Sequence, residues 1–272
     1  MPLKDLLLVI GKDTEPCERY ALELARLSGA ALTVTSSGAA PSLPAFIRSE
    51  LPSDLLEHMR EDVETTARAA LEAVSDEARQ RGVTVETEML DLSTGDVGSE
   101  VSRLARYFDA TVLQQPDPTG PETADLIEAV LFGSGRPVVI VPSRQGPFQI
   151  TTILIAWDES RPAARAVADA LPLLAMAKRV EVVTVGDVRG DRNRHSTTMV
   201  RHLARHGIEA SMTNLVRDHG SVAGTLLAHA ADVKADLIVM GGYGHSRLRE
   251  IVLGGTTRRI LQTMTVPVLM AH

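Results

Sequence analysis

The residues of this chain best placed to do chemistry are Gly241-Gly242-Tyr243-Gly244 and, after nine intervening residues, Gly254-Gly255-Thr256-Thr257. They follow the apolar run Leu237-Ile238-Val239-Met240, which reads as a buried strand. A strand that runs into glycines and then a helix lets backbone N–H groups approach an anion without interference from a Cβ. Arg247, Arg249, Arg258 and Arg259 accompany these glycines, against a single acid, Glu250. In a chain of formal net charge −7 this local excess of cations marks a phosphate address. No Ser-His-Asp set, P-loop lysine or paired carboxylates accompany the glycines, so no catalytic residue is assigned. Without a base to activate water, turnover of a bound ligand is expected to be slow or incidental.

The elements that must position these residues follow from composition and pattern. A chain of 272 residues suits two domains of ordinary size. Hydrophobic residues are 44% and aromatics only 3%, so the cores must be aliphatic, as in helices packed on a β-branched sheet. No apolar run approaches the ~18–20 residues that cross a bilayer. The segment Met1-Pro2-Leu3-Lys4-Asp5 lacks the apolar stretch of a signal peptide, which sets the expectation of a cytoplasmic protein. Cys17 is the sole cysteine, which excludes an intramolecular disulfide and a Cys-rich metal site. It reads as a small buried residue. A pI near 5.6 argues against a nucleic-acid partner. His202 and His206 lie four apart on a helix, but Arg201 and Arg205 flank them without a Glu, which reads as a solvated basic face; no metal ligand is assigned.

One plan is written twice. Leu6 to Asp13 parallels Thr151 to Asp158: a short apolar strand, an aspartate, then a helical pattern. The first helix runs from about Cys17 to Ser28; the second begins near Pro162 and contains Pro172, which is expected to kink it. Second strands follow at Ala31–Thr35 and Val180–Val185, and third strands follow Gly82 and Gly207. Fourth strands lie in 108–113 and 235–240, and fifth strands at Pro137–Val141 and Pro267–Met270. Strands alternating with helices imply parallel βαβ units, hence an α/β fold of two tandem doubly wound five-stranded sheets. The boundary falls around Ser143 to Gln149, giving domains at 1–145 and 146–272. The first half carries an insert, Ser36 to Asp54, and a long amphipathic helix from about Leu55 to Gln80. Its stripe of Leu55, Met59, Val63, Ala67, Ala70, Leu71 and Val74 reads as core packing.

The halves part company at the glycines. Gln114 and Asp117 stand where the second half has Gly241 and Gly244, followed by Pro118-Thr119-Gly120-Pro121-Glu122, with Ala124 near the position of Gly254. Two prolines and two acids replace permissive glycines, so only the second half is expected to hold phosphate.

These residues resemble the universal stress protein family in its tandem form, whose nucleotide-binding branch carries G-x2-G-x9-G-(S/T) after the fourth strand. Gly241, Gly244 and Gly254 match that spacing, and Asp158 matches an aspartate after the first strand. The likeness covers element order throughout and is sharp only in the second half. It implies ATP as ligand, with Mg²⁺ held through the phosphates. It places Ala156, Trp157 and Asp158 beside the adenine and ribose, with Val185 on the other wall. Met240, Gly241, Gly242, Gly244, Gly254, Gly255, Thr256 and Thr257 then form the phosphate side. It also implies that the halves pack through their final strands as a pseudo-dimer. The departure is Gly255, where the family has Ser or Thr. The missing hydroxyl removes one hydrogen bond to a charged group, on the order of 1.5–3 kcal/mol, which Thr256 or Thr257 are positioned to replace.

Several residues keep two readings. Asp158 is also suited to a cap or turn, and Trp157 to packing the first helix of its half. Tyr243 and His245 are expected to be exposed on the loop. Arg247 and Arg249 are either solvated or phosphate-facing, and one of Arg258 and Arg259 is expected to pair with an acid. The leading functional reading is a nucleotide-binding stress protein using ATP for regulation. The second is a scaffold whose glycines serve helix–strand packing, and the third a slow ATPase. A protein partner and a second copy of the chain are candidate partners, the latter through Leu43, Phe46, Ile47 and Leu51 of the insert.

Overall fold

The computed structural model describes residues 2–11, 13–36, 51–90, 96–116, 122–144, 146–186, 192–217, 220–243 and 255–272. In chain order the elements of the first half are β1 (Asp5–Ile10), α1 (Glu15–Ser28), β2 (Ala31–Ser36), α2 (Ser53–Gln80), β3 (Val85–Glu88), α3 (Val97–Ala105), β4 (Ala110–Gln114), α4 (Glu122–Gly133) and β5 (Val138–Val141). The second half repeats the plan: β6 (Thr152–Ala156), α5 (Arg161–Leu174), β7 (Arg179–Val185), α6 (Arg192–Arg205), β8 (Ala210–Leu215), α7 (Val222–Asp232), β9 (Leu237–Gly241), α8 (Thr256–Thr263) and β10 (Val268–Ala271).

The two expected five-stranded sheets are fused into one of ten strands, in the order β3-β2-β1-β4-β5-β10-β9-β6-β7-β8. Each half is parallel throughout, and the only antiparallel pairing among these strands is β5 with β10, which places Val139 opposite Leu269. The two apolar strands that would otherwise be unprotected edges cover one another. Pro137 and Pro267 precede these strands and serve only as acceptors, to Thr111 N–H and Ile238 N–H, so neither removes a ladder donor. The true edges are polar: β3 carries Glu86 and Glu88, and β8 carries Ser211, Thr213 and Asn214.

Interior strands such as Leu6–Ile10 and Leu237–Met240 are buried on both faces, as a parallel sheet covered by helices requires. One apolar layer joins the sheet to α1, α2, α5 and α6 through residues such as Tyr20, Leu71, Val167 and Leu203. The other joins it to α3, α4, α7 and α8 through Val101, Ile127, Leu226 and Ile260. Both layers run across the β5–β10 seam.

The long helix departs from expectation at its start. Ala67, Leu71 and Val74 are buried, but Leu55 is 46% exposed. A helix of 28 residues spans about 42 Å, whereas a six-residue strand covers about 20 Å. The first turns of α2 therefore extend past the sheet and meet no core formed by the described residues. Pro172 does lie inside α5.

Candidate functional site at the carboxyl ends of β6, β7 and β9

The register aligns Ala156 with Met240 on one side and with Val183 on the other, so β9, β6 and β7 end nearly flush. From there β6 leads to α5 on one face and β9 to α8 on the opposite face. Where successive crossovers diverge in this way, a crevice opens at the strand ends, and ligands of doubly wound sheets bind there.

The β6 side of the crevice is ordered by a turn. Trp157 N–H donates to Val183 O at 2.8 Å, extending the ladder. Asp158 Oδ1 accepts from Ser160 N–H at 3.0 Å, and Ser160 Oγ accepts from Ala163 N–H at 3.2 Å, capping α5. Asp158 is exposed and its carboxylate is engaged in this turn. Trp157 is half-buried against the core layer, and its indole Nε1 is buried with no hydrogen-bond partner. Ala156 and Val185 are partly exposed and pack on the opposite layer.

At the β9 side, Gly241 has a structural reason independent of any ligand. A Cβ built there would lie 2.5 Å from Ala163 N and 2.8 Å from Pro162 C, both backbone atoms of the first turn of α5. Only glycine permits that approach. At Gly242 the nearest obstacle to a Cβ is Leu131 Cδ2 at 2.7 Å, the far end of a side chain. Gly242 N–H donates to Ala271 O at 2.9 Å, and its carbonyl faces His272 Nδ1 at 3.0 Å. Met240 is buried in the core layer and offers a ligand little side-chain surface.

Tyr243 differs from expectation. It adopts a left-handed φ of 52°, and its N–H donates to Thr257 Oγ1 at 3.1 Å. Its phenol reaches into the first half, where the hydroxyl donates to Glu128 Oε1 at 2.7 Å and the ring packs on Phe132. The local sequence could not reveal this, because both partners sit on α4, more than a hundred residues earlier. Gly244, His245, Arg247, Arg249 and Gly254 lie outside the described residues.

Helix α8 starts at Gly255, which has no side chain with which to cap it. By contrast α5 and α7 are capped by the hydroxyls of Ser160 and Ser221. Among the described residues no side chain caps the first amides of α8, the arrangement that favours an anion. Thr257 is only 2% exposed and accepts from Tyr243 N–H, so its hydroxyl offers little accessible surface in place of the one missing at Gly255. Thr256, partly exposed, is the hydroxyl that remains available. Arg258 and Arg259 are exposed and form no ion pair with a described residue; Glu250, the nearest acid in sequence, lies outside the described residues.

Titratable groups elsewhere are structural. Cys17 is fully buried, which pushes its thiol well above the ordinary range. His202 and His206 stack edge to face at 4.8 Å. Glu181, inside the sheet, is pushed up by burial, but hydrogen bonds from Thr213 and His229, with Arg179, outweigh that and hold it below the usual range. No cluster of three or more potential metal-binding side chains occurs among the described residues, and no helix among them is long and apolar enough to cross a membrane.

Known proteins agree with this architecture. Residues 149–272 match the model of the universal stress protein family. A universal stress protein of Synechocystis is 28% identical over 147 residues, 53% of this chain and 49% of that protein, so the chain spans about half the length of this curated relative. The crystal structure of a universal stress protein from Archaeoglobus fulgidus superposes with a TM-score of 0.75 at 19% identity, covering 98% of this chain and 97% of that one. A Pseudomonas aeruginosa structure assigned to the same family gives 0.61 at 18% identity, with 98% and 92% coverage. These structural likenesses establish the fold of both halves, and the family match covers the second half: residues 149–272 form a universal stress protein domain.

Proposed function

We propose that the chain binds ATP in its second half, with Mg²⁺ held through the phosphates, and uses occupancy for regulation rather than turnover. The observation that carries this reading is the uncapped start of α8 at Gly255, set beside Gly241 and Tyr243 at the divergence of the β6 and β9 crossovers. Amides there without a side-chain cap among the described residues supply donors to phosphate oxygens, and the exposed Arg258 and Arg259 add positive charge nearby. Ala156 and Val185, partly exposed on the same layer, offer an apolar wall suited to a base. Asp158 faces solvent beside that wall, where a ribose hydroxyl would find it.

A specific observation favours a second reading. The contact of Gly241 with the backbone of α5 explains that glycine by packing alone, as a scaffold without nucleotide would require. The two readings separate in a melting experiment. Millimolar Mg-ATP should raise the melting temperature by roughly 3–5 °C if it exceeds its dissociation constant about tenfold, and Gly244→Asp should abolish the rise. No shift in the wild type at millimolar Mg-ATP would establish the scaffold instead. Phosphate release above blank, lost in Gly244→Asp, would promote the third reading, a slow ATPase. Mass spectrometry of whatever small molecule leaves the purified protein on unfolding identifies the ligand directly.

A further inference from the structure

The second half's candidate site is not built by the second half alone. Tyr243, the last described residue of the β9 exit, is held by Glu128 Oε1 at 2.7 Å and by the ring of Phe132, both on α4. Phe132 also meets His272 edge to face at 4.7 Å, and His272 Nδ1 lies 3.0 Å from the carbonyl of Gly242. The first half reaches the far end of the connection too. Gln115 Nε2 donates to Leu261 O of α8 at 3.0 Å, while Gln115 Oε1 accepts from Ser143 N–H. Tyr243 N–H then closes the circuit to α8 through Thr257 Oγ1. Tyr243 holds a left-handed φ, a conformation that a tyrosine keeps only when its surroundings enforce it.

We infer that the first half, through the Glu128–Tyr243 hydrogen bond and with Gln115 in support, positions the β9 exit and the start of α8, so that an anion seated at α8 is sensed by α4. The sensing part rests on the nucleotide reading above; the positioning part does not. Tyr243 and Glu128 are positioning residues. Helix α4 leads directly into β5, the strand that forms the seam with β10, so a change at Tyr243 has a short mechanical route to the contact between the halves.

Hydrogen exchange on the full chain, read by mass spectrometry, tests both parts. In the ligand-free protein, Tyr243→Phe and Glu128→Ala should each speed exchange in peptides covering 237–243 and 256–263 about tenfold, the loss of one hydrogen bond. The double variant should be no faster than either single one. Glu128→Gln, which keeps an acceptor oxygen, should stay within about twofold of wild type. Unchanged exchange in those peptides, or equal acceleration in β1, β2 and β7, would overturn the positioning role by showing no effect or a merely global one. In the wild type, millimolar Mg-ATP should also slow exchange in α4, and Glu128→Ala should lose that response. Protection of 256–263 without protection of α4 would overturn the sensing role. If Mg-ATP protects nothing in the wild type, the nucleotide reading fails and sensing of this ligand fails with it, while the ligand-free comparison still decides the positioning role.

Discussion

At matched positions of the two halves, Gln114 and Gln115 stand where Gly241 and Gly242 stand. The register fixes the match: Gln114 pairs with Val141 as Gly241 pairs with Ala271, and the amides of Gln115 and Gly242 donate to those same two carbonyls. In the second half the glycine lets the first turn of α5 close onto β9, and α5 contacts β9 and β10 far more extensively than α1 contacts β4 and β5. In the first half a full side chain occupies that position, and both polar atoms of Gln114 are buried without a hydrogen-bond partner. The same matching places Gly11, not Asp13, opposite Asp158, so the first half has no acid at the end of its first strand. Asp13 lies two residues further on, in a left-handed conformation. Thr14 there spends its hydroxyl on Gly11 O and Glu18, whose carboxyl burial pushes up despite the bond from Thr14. One half has kept the backbone close and open; its twin has filled the space with side chains. The lesson is that degeneration of a repeat is written in packing as well as in loop composition.

The largest way to break this comparison is to write the first half's residue into the second. Gly241→Gln forces a Cβ against the backbone of Ala163 and Pro162, so α5 must shift, at a cost of about 3 kcal/mol. The denaturant midpoint should fall at unchanged slope, and Mg-ATP should no longer raise the melting temperature. A variant as stable as wild type would remove the packing account of Gly241. A smaller effect sharpens the ligand side. Gly255→Ser restores the hydroxyl of the family pattern and should tighten Mg-ATP binding about tenfold by calorimetry; equal affinity would mean that this position does not touch phosphate. The smallest effect should have the opposite sign. Gln114→Leu replaces an unpartnered buried amide with an apolar group and should stabilise the protein by about 1 kcal/mol, read as a higher melting temperature. Destabilisation would show that the amide is satisfied after all.

Much of the fold was legible because its signals are local and periodic. The apolar strand runs, the glycine ending α1 at Gly29 and Pro162 in the first turn of α5 each report on their own neighbourhood. The site was legible only in part. The register sets the ends of β6, β7 and β9 side by side, so Ala156, Val185 and Gly241 lie at neighbouring strand ends, while Gly255 begins α8 and the Asp158 carboxylate is engaged in the turn before α5. Thr257 and Met240 face inward, and Tyr243 turns toward the other half. Nothing in the residues flanking Tyr243 distinguishes an exposed loop tyrosine from one anchored by a distant carboxylate. The overhang of α2 was equally hidden, since a helical stripe states which face is apolar and not how far the sheet beneath it extends.

By itself the sequence determined the βα alternation, the duplication, and which half keeps glycines after its fourth strand, because strand and helix periodicity and the steric freedom of glycine are properties of short segments. Only the tertiary structure decided that the two sheets become one through β5 and β10, that Gly241 is needed for the approach of α5, and that Glu128 holds Tyr243. Those outcomes depend on which surfaces meet across long stretches of chain, and burial and hydrogen-bond geometry at such meetings are set by the whole packed molecule.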